Sequence, residues 1–135
     1  MKKLSTSFLL LTFFFAAMAQ GDSAEITFQK DTHDFGTLKK NGPTTYKFEF
    51  QNTGKVPLII TDVQRTCGCT TPYFPDKAIN PGEKSFIQVH FDSTRIGAFT
   101  KTVYVNSNAK NTHVPLIIKG TILDEVVKPA EIKKD

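Results

Sequence analysis

Residues 45–50 alternate without a break: Tyr46, Phe48 and Phe50 fall on one side, Thr45, Lys47 and Glu49 on the other. A two-residue period belongs to a strand with one buried and one wet face, and it excludes an amphipathic helix over the same segment. Sheets wetted on one side are usually antiparallel. The period recurs along the chain. Ile26 and Phe28 alternate with Thr27 and Gln29, and Ile87, Val89 and Phe91 with Phe86, Gln88 and His90. Phe99, Val103 and Val105 share a phase, as do Val114, Leu116, Ile118 and Ile122. Two further runs, residues 34–38 and 58–63, bring the reading to seven strands, with no helical segment of convincing length. A chain of 135 residues holds one such domain, and its 12 Phe against no Trp suit a β-rich core. The expected class is all-β: a seven-stranded, immunoglobulin-like antiparallel β-sandwich.

The punctuation between these runs fits the same class. Asn41-Gly42-Pro43 marks a reversal, Asn52-Thr53-Gly54 ends the strongest strand, and Pro57 enters the next. Asn80-Pro81-Gly82-Glu83 carries the residues of a type II turn, because Pro81 presets φ and Gly82 accepts a positive φ. Gly36 is expected at a turn or bulge beside a strand entry, and residues 106–111 form a loop.

The two ends of the chain read differently. Lys2 and Lys3, an apolar run over residues 8–17 interrupted by Thr12, and Ala17-Met18-Ala19 have the layout of a secretory signal cleaved before Gln20. The run is about ten residues, against roughly 20 for a membrane-spanning helix. No cysteine stands near the cleavage point to carry a lipid. The expectation is an exported protein, periplasmic or secreted, with neither a transmembrane nor a lipid anchor. Its parts are a signal peptide at 1–19, a short segment at 20–24, the sandwich at 25–125 and a charged tail at 126–135. Loss of Lys2 and Lys3 lowers the formal charge from +4 to +2. The remaining lysines are scattered and form no basic stripe with stacking aromatics, so nucleic acid is not an expected partner.

Several local patterns occur together and in order. They are Phe28 with Asp34-Phe35-Gly36, the run from Phe48 to Gly54, Pro57-Leu58-Ile59-Ile60, Cys67-Gly68-Cys69-Thr70 with Pro72, Asn80-Pro81-Gly82-Glu83, Gly97-Ala98-Phe99 and Ser107-Asn108. In this combination the chain resembles the bacterial DUF1573 family over about residues 25–122. The resemblance implies an exported immunoglobulin-like module of the ASH/MSP type, a class of binding and scaffold domains. It implies no reaction, since the family is one of unknown function.

Cys67 and Cys69 are the only cysteines. In an oxidising compartment they are expected to pair, yet two residues at i and i+2 on an extended chain have Cα atoms about 6.5–7 Å apart, at the limit for a disulfide. A bend is required, and Gly68 is expected to supply it through a positive φ. Such a bridge encloses almost no loop and stabilises little by restricting the unfolded chain. Three chemistries are open to the pair. The side chains pack as small hydrophobes or as a strained local disulfide; they exchange electrons, with Arg65 favouring a thiolate; or they bind a soft metal such as Cu(I) or Zn(II). Two sulfurs suffice for linear Cu(I), whereas Zn(II) needs two more ligands. His33, His90 and His113 lie far apart with no metal-ligand spacing between them and are read as polar surface or loop residues.

Motifs of serine hydrolases, zinc proteases, phosphate loops and dinucleotide sites are absent from the sequence. Asp31 and Asp34 flank His33, but carboxylates in such loops are normally turn formers. The expectation is a protein without catalytic residues or cofactor that binds another protein of the cell envelope through a sheet edge or a loop cluster. The competing expectation is a periplasmic thiol or copper-handling protein centred on Cys67 and Cys69.

Overall fold

The alternating segment forms the centre of a sheet in the computed structural model, which describes residues 21–124. The expected signal peptide at 1–19 and the expected charged tail at 126–135 lie outside the described residues. Eight strands follow in order: β1 (Ile26–Phe28), β2 (Thr32–Lys39), β3 (Thr45–Asn52), β4 (Ile60–Arg65), β5 (Thr70–Tyr73), β6 (Lys84–Phe91), β7 (Gly97–Ser107) and β8 (His113–Leu123). They make two four-stranded sheets, β1-β3-β6-β5 and β2-β8-β7-β4. Among the described residues there is no helix, and hence none long and apolar enough to cross a membrane.

The phases expected from the sequence are those observed. Phe48 and Phe50 of β3 and Ile87 and Val89 of β6 face Val103 and Val105 of β7 and Leu116, Ile118 and Ile122 of β8, all at most 1% exposed. Fully burying each such side chain contributes about 1.5–3 kcal/mol. Aromatic pairs join the layers: Phe91 stacks on Phe99 with ring centroids 4.1 Å apart, and His33 stacks on Tyr46 at 3.6 Å.

Two features depart from the expected architecture. The eighth strand is β5, whose Pro72 lies opposite Val89. Proline removes a ladder donor, and here it is accommodated because β5 is an edge strand paired only with β6. The second departure is direction. β2 runs parallel to β8, from Thr32 opposite Ile117 to Lys39 opposite Leu123, with the register shifting between Asp34 and Thr37. Gly36, at φ 67°, sits in that irregularity, and its N–H donates to Asp34 Oδ1 at 2.8 Å.

β4 starts at Ile60 rather than Leu58. Leu58 instead exchanges two backbone hydrogen bonds of 2.8 Å with Ile79, which ties the connection between β5 and β6 across the end of the core. The sandwich also begins before Glu25, since Ala24 is 1% exposed and forms a bridge with Ala109. Gly54 lies against that segment so closely that a Cβ would overlap the Ser23 carbonyl oxygen and the Glu25 nitrogen.

Polar side chains, the buried Asn52 and the exposed Asn108 and Asn111, fasten the loops. The Asn52 amide donates to the carbonyls of Val56 (2.8 Å) and Ile79 (2.9 Å), and its Oδ1 accepts from the Gly54 N–H at 3.0 Å. Asn111 holds both backbone groups of Ile26, and Asn108 accepts from the Ile59 N–H at 2.7 Å. The Asn80-Pro81-Gly82-Glu83 turn closes with a 2.9 Å bond from the Glu83 N–H to the Asn80 carbonyl, with Gly82 at φ 81° as a type II turn requires.

Candidate functional site

β4 and β5 are the neighbouring edges of opposite sheets, so the residues between them must cross from one layer to the other. Residues 66–69 make that crossing and contain both cysteines. Cys67 and Cys69 are joined as a disulfide, with Cα atoms 5.3 Å apart. The bend was expected from a positive φ at Gly68. Gly68 does not supply it in that way: the glycines with positive φ are Gly36, Gly82 and Gly97. The turn at the sheet crossing itself draws the two Cα atoms together, and the space beside Gly68 is open.

The crossing is fixed on both sides by bonds that do not involve the disulfide. The Asp92 N–H donates to the Cys69 carbonyl at 2.8 Å, and the Thr66 hydroxyl donates to the Thr102 carbonyl at 3.1 Å. Arg65 Nη1 donates to the Thr70 carbonyl at 3.2 Å, so the guanidinium is anchored at the foot of the loop. Thr70, fully buried, has its hydroxyl 3.6 Å from Cys67 Sγ.

Opposite the crossing runs the connection from β6 to β7, residues 92–96. There lies an open cleft of about 630 Å³, lined by Cys67, Gly68 and Cys69 of the crossing, by Asp92, Arg95 and Ile96 of the connection, by Lys101 of β7, and by Phe91 and Phe99. Ile96 is 56% exposed and lines this cleft. Arg95 and Lys101 supply two cations against the one carboxylate of Asp92. Hydrogen bonds from the Thr94 hydroxyl and backbone, aided by Arg95 and His90, hold that carboxyl below its ordinary value, so it is charged at neutral pH.

The remaining candidates do not converge on this cleft. His33 packs against Tyr46 and Phe35; His90 Nδ1 lies 3.0 Å from the Thr45 hydroxyl; His113 stacks on Tyr104 and meets Asn106. Burial, reinforced by Lys30 and opposed by Asp34, lowers the pKa of His33 from its ordinary value. Asp31 accepts from the Thr32 hydroxyl and Asp34 pairs with Lys119 at 3.8 Å, both as local turn and surface contacts. Among the described residues no group of three or more His, Cys, Asp or Glu stands together to hold a metal ion. Once reduced, Cys67 and Cys69 offer two sulfurs to a soft metal. Gly36, Gly54, Pro81 and Gly82 serve the fold away from the cleft.

Arg95, Ile96, Lys101 and Thr70 are the functional candidates that sequence reasoning misses. Asp92-Ser93-Thr94-Arg95-Ile96-Gly97 reads only as a turn-rich link. Nothing local reveals that it faces the cysteines.

A family model described as "Protein of unknown function (DUF1573)" matches residues 26–122. No curated protein matches the chain. Among solved structures, a protein of unknown function from Porphyromonas gingivalis W83 is similar, with a TM-score of 0.66 and 17% identity over 80% of this chain and 51% of its own. The present chain thus spans about half the length of that protein. The ASH/PapD-like domain 7 of human CEP192 superposes with a TM-score of 0.65 and 10% identity, covering 92% of this chain and 99% of the domain. The secreted serine protease VesC from Vibrio cholerae matches with a TM-score of 0.58 and 12% identity over 76% of this chain and 24% of its own. At these identities the likeness is one of fold: an immunoglobulin-like, ASH/PapD-like sandwich.

Proposed function

We propose, for a chain that belongs to the DUF1573 family of proteins of unknown function, that the sandwich is an exported, non-catalytic module that binds another protein of the cell envelope through the cleft at its Cys67–Cys69 end. One observation carries the reading: an exposed Ile96 lines the same cleft as the stacked Phe91 and Phe99 and the cations Arg95 and Lys101. An apolar anchor with a charged rim is the composition of a protein-docking site. The complementary segment carries an apolar side chain for the base of the cleft and acidic residues for its wall. Export is supported by the basic start, apolar run and small-residue cleavage pattern of residues 1–19. The thiol alternative keeps one favourable observation, that both cysteines line this same cleft.

The test is recovery of envelope proteins by cross-linking to the wild type and to Ile96→Asp with Lys101→Glu, neither change touching the buried core. Loss of one defined partner from the double variant is the expected result. Equal recovery by both proteins would overturn the assignment of the cleft.

A further inference from the structure

The surroundings of the two sulfurs are unequal, and the inequality has chemical direction. Sulfur in a disulfide carries no proton, so the Thr70 hydroxyl near Cys67 Sγ is the donor. Thr70 is fully buried, and this sulfur is the hydroxyl's hydrogen-bond partner among the described residues. A neutral sulfur is a weak acceptor, whereas a thiolate is a charged one, and hydrogen bonds to charged groups are about twice as strong. The hydroxyl therefore stabilises a negative Cys67 more than it stabilises the bridge. Among the described residues no such donor meets the Cys69 sulfur; its contact is the backbone carbonyl, which accepts from the Asp92 N–H. Arg95 and Lys101 line the same cleft as both cysteines, and cations there favour an incoming and a departing thiolate alike.

The bridge is also dispensable to the fold around it. It spans a sequence separation of two, and the crossing is held independently through Thr66, Cys69 and Arg65. A disulfide that encloses so little chain stabilises the folded state only slightly. Opening it leaves the sandwich and its cleft in place.

We infer that Cys67–Cys69 is an exchangeable disulfide directed for attack at Cys69, with Cys67 as the leaving thiolate and Thr70 as the residue that positions the leaving charge; the reactant class is a protein dithiol. In the first step a partner thiolate attacks Cys69 Sγ. The new bond joins the partner to Cys69, the Cys67–Cys69 bond breaks, and its electron pair passes to Cys67 Sγ, which accepts the Thr70 hydrogen bond and then a proton from water. In the second step the partner's other thiolate attacks its own sulfur in the mixed disulfide and releases Cys69 as a thiolate. The partner is oxidised by two electrons to a disulfide, and Cys67 and Cys69 are reduced to a dithiol. The reverse sequence restores the bridge at the expense of a partner disulfide. This goes beyond docking and does not depend on it, because a small thiol reaches the same sulfur without a partner's contacts.

The experiment uses reduced glutathione on the oxidised full chain, with acid quenching and mass spectrometry to locate the adduct and count free thiols. Glutathione is expected on Cys69. Thr70→Val is expected to slow opening by about tenfold, the effect of losing a hydrogen bond to a charged group, while Thr70→Ser retains the donor and the rate. Thiol titration gives a readout that a merely structural Thr70 would not move: Cys67 in Cys69→Ser ionises at lower pH than in Cys69→Ser with Thr70→Val. Adducts on Cys67, equal adducts on both sulfurs, or equal opening rates for wild type and Thr70→Val would each overturn the inference. Docking is read from partner recovery, and exchange from glutathione on the wild type and the Thr70 variants, so failure of the docking reading is separable from failure of this one.

Discussion

The side-chain amide of Asn52 donates to the carbonyl of Ile79 at 2.9 Å, although 27 residues separate them. Asn52 ends β3 at full burial, and the same side chain serves Val56 and Gly54, so one amide fixes both the turn after β3 and the strap before β6. Asn52→Ala removes the side-chain donor of the Val56 carbonyl and one of the two donors of the Ile79 carbonyl, which keeps the Leu58 N–H, and a buried group left unpaired costs about 1–3 kcal/mol. A loss of about 2 kcal/mol in chemical denaturation is expected on that basis. A loss below about 0.5 kcal/mol, the range of ordinary surface changes, would refute the role.

Phe48 and Glu49 are neighbours with opposite fates. Phe48 is 1% exposed, lies opposite Ile87 on β6 and packs edge-on against Tyr46, whereas Glu49 faces water. Phe48→Ala is expected to cost roughly 3–5 kcal/mol and Glu49→Ala no more than about 0.5 kcal/mol. Similar denaturation midpoints for the two variants would contradict the observed strand phase.

The lowered pKa of His33 makes stability depend on pH in a defined direction. The unfolded imidazole titrates near 6.5 and the folded one below it, so between the two values the unfolded chain binds more protons. Its contribution is thus complete above the unfolded value and is lost as pH falls through the folded one. His33→Phe, which keeps an aromatic surface for Tyr46, is expected to shrink the loss of melting temperature between about pH 8 and about pH 5. Asp92, also lowered, acts further down the scale, as its ordinary value of 3.8 already lies below that window. An unchanged pH profile in His33→Phe would remove this residue from the account.

Gly54 and Gly68 differ in what an added methyl group meets. At Gly54 it strikes the Ser23 and Glu25 backbone, and at Gly68 it meets nothing within 4 Å. Gly54→Ala is expected to lower stability by about 2 kcal/mol or more, within the range for local clash and strain, and Gly68→Ala by less than about 0.5 kcal/mol. Thermal melts of the two variants decide it, and a Gly68→Ala loss as large as that of Gly54→Ala would mean the crossing depends on this glycine's conformation after all.

What could be read from the sequence follows the range of the forces involved. The phases of β3, β6, β7 and β8 are local, since alternate side chains of one strand must share a face, and residues such as Tyr46, Phe48 and Phe50 display it directly. The type II turn at Pro81-Gly82 is equally local. β5 was missed because four residues with a central Pro72 carry no strand signal, and only its place at the edge of the sheet accommodates them. The parallel pairing of β2 with β8 was hidden because it joins segments more than seventy residues apart. The candidate site divides in the same way. Cys67 and Cys69 stand out in the sequence, but Arg95, Ile96 and Lys101 reach them only through the packing of two sheets, and Thr70 gains its meaning from full burial.

The parallel pairing of β2 with β8 also sets an order of assembly. β8 lies between β2 and β7 in its sheet, and it is the last strand of the described chain. A nascent chain that has not yet reached His113 holds β2 with no neighbour to pair with, and β7 with one side open, however complete the β1-β3-β6-β5 sheet has become. Such long-range closure is slow compared with hairpin formation and exposes unpaired edges while it waits. Delivering the polypeptide whole before it folds removes that interval, because β8 then arrives together with the strand it must meet.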